Sequence, residues 1–274
     1  MSDYTAAPRP AARYVALIPA AGVGARMAAG SPKQYLQIGG KPMLRHALDA
    51  FRASALIAHT YVVVSPDDPC IDAIVPSDGV SVLRCGGATR MESIRNGLHA
   101  LRQGVSGDDW ILVHDAARPG LDAELIARLI VETGEHPAGG LLALPVVDTV
   151  KRSVAGETTT SGCTIARDGL WLAQTPQMFR YALLVRALAA VTDPAAITDD
   201  ASAVEALGLA PRLVEGHPRN LKVTLPADIR IAEMYLAAFR AASTHHASTH
   251  DASTHDASTH NASTHNASTY HEPS

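Results

Sequence analysis

Long apolar runs are missing from this 274-residue sequence. No stretch approaches the ~20 residues that a membrane helix needs, so a membrane partner is not expected. The opening residues, MSDYTAAPRPAAR, hold no apolar segment of the kind a secretory signal carries, and a cytoplasmic location is the expectation. Cysteine is scarce. Cys70, Cys85 and Cys163 are odd in number and far apart, which fits neither a disulfide framework nor a Cys-x-x-Cys metal pair. A basic excess is missing too, with 23 Lys and Arg against 27 Asp and Glu. Three of those acids, Asp251, Asp256 and Glu272, lie beyond Arg240, the last basic residue, so the rest of the chain is close to neutral. Nucleic acid is therefore not the expected partner, while a few local cations for a small anionic substrate remain. Two common nucleotide motifs are also absent. Gly22-x-Gly24 has no third glycine at the dinucleotide spacing, and no Gly-Lys-Ser/Thr follows it as in a Walker A loop.

What is present centres on residues 14–33. Tyr14-Val15-Ala16-Leu17-Ile18 is an apolar run that reads as a buried strand, closed by Pro19, which cannot donate to a ladder. Small residues follow, from Ala20 to Ala25 with Gly22 and Gly24 among them, and then the cations Arg26 and Lys33. A backbone without bulky side chains can approach a polyphosphate closely and aim its N–H groups at the oxygens. Fixed cations supply the charge such a cradle needs. An ordinary strand–loop turn with solvated Arg and Lys is the duller alternative.

Along the chain, apolar strands alternate with amphipathic helices. Strands are expected at 59–65, 80–84, 110–114 and 140–145, and helices at 42–53, 90–101, 122–133 and 181–191. Residues 70–75 could form a short helix, 200–207 a helix capped by Thr198-Asp199-Asp200, and 226–241 a final helix. Short strands are expected at 213–215 and 221–223. The alternation implies an α/β fold: a Rossmann-like, mostly parallel sheet flanked by helices. Ligands on such sheets sit beyond the carboxyl ends of the strands, so the Gly22 loop, Gly86-Gly87 and Asp115 should share one rim.

Residues 146–170 break the pattern. They are β-branched, polar and turn-rich, and 149–153 could pair with 164–167 as a projecting antiparallel hairpin. A surface excursion without regular structure is the competing reading. Residues 1–12 read as a loose arm, and 13–242 as the folded domain. Residues 243–274 are a five-residue Ala-Ser-Thr-His-x repeat with seven of the 13 histidines and no apolar period, and are expected to be disordered.

The residues Pro19-Ala20-Ala21-Gly22-x-Gly24-x-Arg26-Met27 and Pro32-Lys33-Gln34 resemble the signature of sugar-nucleotide pyrophosphorylases and cytidylyltransferases. Further motifs extend the likeness from Val15 to Phe239: HDAARP from His114, GLWxxQTPQxF from Gly169, TDDAS from Thr198 and NLKVT from Asn220. Together, in this order, they resemble the cytidylyltransferase family that acts on 2-C-methyl-D-erythritol 4-phosphate in the non-mevalonate isoprenoid pathway. The resemblance implies the fold of nucleotide-diphospho-sugar transferases, and CTP and a sugar-alcohol phosphate as substrates. It implies Mg²⁺ held mainly by the CTP phosphates, near Asp115, with no direct metal ligand set in the protein. It also implies a homodimer formed through the arm at about 146–170.

By the same resemblance, Arg26 and Lys33 stabilise the transition state at the α-phosphate of CTP. Arg167 and Lys222 position the sugar phosphate, with Thr149 and Thr175 as its other contacts. Ala20, Ala21, Gly22, Gly86 and Ser93 hold cytidine, Arg90 lies in the same segment, and Asp115 stands between sugar and nucleotide. Gly24, Ala116 and Arg118 complete the expected substrate-binding set. For the residues taken singly, duller readings stand beside these: His114 as a structural histidine, Ser93 as part of a helix start, Arg118 as the partner of an acid. Alternatives for the whole chain are a cytidylyltransferase for another polyol phosphate, such as ribitol 5-phosphate, or a nucleotide sensor without catalysis.

Overall fold

The computed structural model describes residues 11–22 and 32–239. Gly24, Arg26, most of the N-terminal arm and the histidine-rich repeat lie outside the described residues.

Seven strands make one sheet, in the spatial order β11 (Arg212–Glu215), β7 (Gly140–Pro145), β10 (Trp171–Arg180), β6 (Trp110–Val113), β1 (Tyr14–Pro19), β4 (Ile57–Val63) and β5 (Val80–Leu83). Its centre is β1 (Tyr14–Pro19), which pairs in parallel with β4 (Ile57–Val63) on one side and β6 (Trp110–Val113) on the other. β5 (Val80–Leu83) extends the sheet beyond β4, and β11 (Arg212–Glu215) lies parallel to β7 (Gly140–Pro145) at the far edge.

Alternation along each strand builds two cores. Ala16 and Ile18 of β1, with Val62, Leu112, Leu142 and Val214, face α1 (Met43–Ala53) and α3 (Ala123–Thr133) through Leu44, Leu48, Phe51, Leu125 and Ile126. Val15 and Leu17, with Val63, Ile111, Val113 and Leu141, face α2 (Arg90–Leu101), α4 (Tyr181–Ala189) and α5 (Asp200–Glu205) through Ile94, Leu98, Leu184, Leu188 and Val204. Because side chains in a strand point alternately up and down, a near-continuous apolar run serves both layers at once. A third small cluster joins Ile38, Met43 and Val223 to Ala232 of the last helix, α6, at 226–239. Ile38 belongs to a short hairpin, β2 (Gln37–Ile38) with β3 (Lys41–Pro42). None of the described helices is long and apolar enough to cross a membrane.

Besides the short β2–β3 hairpin, the structure departs from the sequence reading at residues 171–180 and 221–223. The ten residues of β10 (Trp171–Arg180) form a strand between β6 and β7, antiparallel to both. No strand is expected there from sequence, because Pro176 removes a ladder donor and argues against a central strand. The sheet accommodates it at a break in register: pairing with β7 is interrupted between Ala173 and Gln177, and pairing with β6 starts at Gln177. The sheet is thus mixed, with one reversed strand. Residues 221–223 are not a strand. They run along the loop after β6, with the Val223 N–H donating to the Ala117 carbonyl at 2.8 Å.

The irregular segment is an antiparallel hairpin of β8 (Val150–Ser153) and β9 (Ser161–Ile165), paired only with each other among the described residues. Val147, Leu170, Trp171 and Leu172 at its base are exposed apolar side chains.

Leu98 is 2% exposed and packs between α2 and the sheet, so Leu98→Ala leaves a cavity in the core. The expected loss is about 3 kcal/mol of unfolding free energy. It is read as a lower urea midpoint with an unchanged slope.

Candidate active site

Three strand ends and one returning segment meet at a cavity of about 210 Å³. After β1 come Ala20, Ala21 and Gly22; after β5 come Gly87 to Arg90 at the start of α2; after β6 come Asp115, Ala116 and Ala117. Lys33, Gln34 and Lys222 close it.

Backbone contacts hold these pieces at fixed distances. The Ala20 N–H donates to Val63 O at 2.7 Å, and Gln34 Nε2 donates to Ala20 O at 2.7 Å. Gly86 passes so close to the first loop that a Cβ there would lie 2.3 Å from the Ala21 Cβ and 2.8 Å from Val64 O, so no side chain fits. Thr89 caps α2, its hydroxyl accepting from the Glu92 N–H at 3.1 Å. Ser93 Oγ accepts from the Gly87 N–H at 3.1 Å and donates to Thr89 O at 2.9 Å, which fixes the glycine turn against the helix.

The charged wall is built around Asp115. Its Oδ1 accepts from Arg90 Nε at 2.7 Å, and its Oδ2 lies 2.8 Å from Lys222 Nζ. Arg118 Nε stands 3.9 Å from the same oxygen. Arg90 also donates through Nη2 to Asp200 Oδ2 at 2.8 Å. Burial alone would raise the Asp115 carboxyl, but Arg90 and Lys222 outweigh it and hold the group well below the usual carboxylate range. Burial likewise works against the Arg90 charge, and Asp200 and Asp115 overcome it, so the guanidinium stays protonated. Among the described lining residues, Lys33, Arg90 and Lys222 stand against one carboxylate, Asp115, so this part of the wall is net cationic.

Behind the wall, His114 is fully buried. The Asp115 N–H donates to Thr175 Oγ1 at 3.0 Å, and Thr175 Oγ1 sits 3.0 Å from His114 Nδ1. The Thr175 proton therefore points at Nδ1, which leaves the imidazole proton on Nε2, donating to Arg118 O at 3.2 Å. Burial pushes the His114 pKa down to about 4. Arg118 donates to Asn220 O at 2.7 Å and to Ala173 O at 3.3 Å, and Asn220 Nδ2 donates to Thr175 O at 2.8 Å. These bonds run the Asn220–Lys222 segment alongside the loop after β6 and so place Lys222.

Ala20, Ala21, Gly22, Lys33, Arg90, Ser93, Asp115, Ala116 and Lys222 thus share one cavity, as the sequence anticipates. Gly86, Arg118 and Thr175 stand behind its wall and shape it. Thr149 and Arg167 do not line it: both are exposed at the base of the hairpin, just outside β8 and β9, where Arg167 donates to Val147 O. Arg26 and Gly24 lie outside the described residues. Sequence reasoning gave no site role to Asp200 or Gln34. Each sits inside a motif already singled out, yet only the fold shows that Asp200 meets Arg90.

Residues 14–238 match the family model described as 2-C-methyl-D-erythritol 4-phosphate cytidylyltransferase. The chain belongs to this family. A relative of that name from Dechloromonas aromatica (strain RCB) is 50% identical over 229 residues, covering 82% of this chain and 98% of the relative. Another, from Ralstonia nicotianae, is 52% identical over 239 residues, covering 84% and 94%. A crystal structure of 4-diphosphocytidyl-2C-methyl-D-erythritol synthase superimposes with a TM-score of 0.73 at 45% identity, over 83% of this chain and 99% of the other. Membership of the cytidylyltransferase family makes the chain a nucleotidyltransferase of isoprenoid precursor synthesis.

Two measurements test this wall. His114 is neutral in the fold down to about pH 4 but takes a proton near pH 6.5 when unfolded. The unfolded state therefore binds the extra proton between these values, and stability falls on acidification through that window by up to about 3 kcal/mol. His114→Asn should flatten that part of the stability–pH curve; an unchanged slope contradicts the buried neutral assignment. Gly120 lies where a Cβ would be 1.8 Å from Arg219 O. Gly120→Ala should push the Lys222 segment outward and lower turnover about 10-fold or more, in an enzyme that still folds.

Proposed function

We propose that this chain joins CTP and 2-C-methyl-D-erythritol 4-phosphate, giving 4-diphosphocytidyl-2-C-methyl-D-erythritol and pyrophosphate. One observation carries the reading: in a member of this family, Lys33, Arg90 and Lys222, from segments far apart in sequence, converge with Asp115 on one small-residue cavity at the strand ends.

Both reactants are anions, and their repulsion is the main barrier. An oxygen of the sugar phosphate attacks the α-phosphorus of CTP, a new P–O bond forms, and the bond to the β-phosphate oxygen breaks. The electron pair leaves with pyrophosphate. A phosphate monoester is already nucleophilic near neutral pH, so positioning and charge neutralisation do the chemistry. This agrees with a site that offers cations and, among the described residues, no exposed histidine base, since His114 is buried and held neutral. Lys33, with Arg26, acts at the α-phosphate. Lys222 meets the sugar phosphate, and Asp115 accepts from substrate hydroxyls. Ala20 to Gly22, Gly86 and Ser93 shape the cytidine pocket, the last two by holding its backbone.

Mg²⁺ fits this site as a guest of the triphosphate. No cluster of three potential ligands exists among the described residues, and Asp115 is the single carboxylate in the cavity wall. Such a donor set suits an ion held by phosphate oxygens and water, with Asp115 nearby. When bound, the ion offsets triphosphate charge.

The homodimer is part of the same proposal. Thr149 and Arg167 flank a hairpin paired with nothing else described, and the exposed Val147, Trp171 and Leu172 at its base offer an apolar seat for a second copy. An isolated two-stranded hairpin is marginal in water and gains from such a cover. Thr149 and Arg167 would then complete the sugar-phosphate site of the neighbouring subunit. A cytoplasmic location follows from the substrates, which are soluble metabolites.

Pyrophosphate release from CTP, with either 2-C-methyl-D-erythritol 4-phosphate or ribitol 5-phosphate as acceptor, tests the reading. Turnover should require the first; equal use of both contradicts the substrate assignment. Lys33→Ala should lower the rate about 10²-fold, as loss of one transition-state contact does. An unchanged rate with CTP bound contradicts the role of Lys33.

A further inference from the structure

We infer that Asp200 is a positioning residue of this enzyme: from behind the cavity wall its carboxylate holds the Arg90 guanidinium, and Arg90 in turn fixes the orientation of Asp115. The inference deepens the reading above and rests on it for its kinetic arm.

Asp200 is 1% exposed and does not line the main cavity. Its Oδ2 accepts from Arg90 Nη2 at 2.8 Å across 110 residues of sequence. The same guanidinium donates through Nε to Asp115 Oδ1 at 2.7 Å. Arg90 is thus forked between two carboxylates, one in the cavity and one outside it. Only a planar guanidinium spans two acceptors in this way; an ammonium has no fixed fork.

The local needs of α5 do not explain Asp200. Asp199 already caps the helix, accepting from the Ser202 N–H at 2.9 Å while Ser202 Oγ completes a capping box. Gln177 braces that cap from β10, with Nε2 donating to Asp199 Oδ2 at 2.7 Å and Oε1 accepting from the Ala201 N–H at 2.8 Å. Asp200 is therefore a second acid, set on a braced support and turned inward to Arg90. Burial pushes its carboxyl upward against the pull of Arg90, which marks an expensive placement with one charged partner among the described residues.

The consequence falls on Asp115. Its two oxygens have separate tasks, Oδ1 toward Arg90 and Oδ2 toward Lys222. Without Asp200, Arg90 is free to swing toward the incoming triphosphate, and Asp115 loses the contact that sets its angle. Nucleotide then binds at least as well, with one more cation within reach, but the reacting phosphates meet in poorer alignment.

The test uses the full chain. Asp200→Asn should lower kcat about 10- to 100-fold while leaving the KM for CTP unchanged or lower. Asp200→Glu restores the charge and should recover most of kcat. A purely structural role would reduce the fraction of folded enzyme and leave kcat per active site intact, and that result overturns the inference. Arg90→Lys, which keeps Asp200 in place, should reproduce the kcat loss; if Asp200→Asn does not fold, this variant carries the kinetic test, and a wild-type kcat in it overturns the inference. A second readout needs no turnover. The Arg90 Nε–H signal in a ¹⁵N correlation spectrum, assigned by its absence in Arg90→Lys, should exchange slowly with solvent in the wild type, no more than a few-fold faster in Asp200→Glu, and far faster in Asp200→Asn. If wild type itself fails to consume CTP with the sugar phosphate, the reaction assignment falls and the exchange data still decide the role of Asp200: fast exchange of Arg90 in the wild type overturns it.

Discussion

A buried carboxylate between cations is the constraint on which this site depends. Asp115 stands at the end of the central part of the sheet, 7% exposed, with Arg90 on one oxygen and Lys222 on the other. An isolated charge at that depth is strongly unfavourable, and paired charges tolerate it only with good geometry and full hydrogen bonding. The fold supplies both. α2 brings Arg90, the loop after β6 brings Asp115 itself, and the segment after β11 brings Lys222. Mutual neutralisation allows three cations to be stored near one another before any substrate arrives.

The hydrogen-bonded layer beneath explains why the arrangement is rigid. His114, Thr175, Arg118 and Asn220 link the loop after β6 to the reversed strand β10 and to the segment that carries Lys222. Reversal of β10 matters here. An antiparallel strand wedged between β6 and β7 brings Ala173 to Thr175 under the strand-end rim, where a parallel strand would present its other end. Catalysis by positioning needs such support, because small displacements of charged groups lose much of their effect.

Much of this is legible in the sequence alone. Alternating apolar runs and amphipathic helices announce a layered α/β sheet, and the rule that ligands gather at strand ends brings Gly22, Gly86 and Asp115 together. Other features were hidden for physical reasons. β10 contains Pro176, so local preference speaks against the central strand that tertiary pairing creates. Residues 221–223 are apolar enough to read as a strand, but the Val223 N–H donates to Ala117 O in the loop after β6, and Lys222 O accepts from the Thr224 hydroxyl. Asp200 reads as an acid at a helix start, a local role that Asp199 in fact fills. A contact between residues 90 and 200 has no local signature at all. Arg118 and Thr175, carried over as substrate contacts, are engaged with backbone and neighbours behind the cavity.

The central claim, that Asp115 and Lys222 act as one unit, is tested most directly by a double-mutant cycle on kcat/KM for CTP with Asp115→Asn and Lys222→Met. Coupled partners give non-additive losses, with an interaction energy of about 1 kcal/mol or more and a double variant little worse than the poorer single one. Strict additivity would contradict the shared charge centre described here.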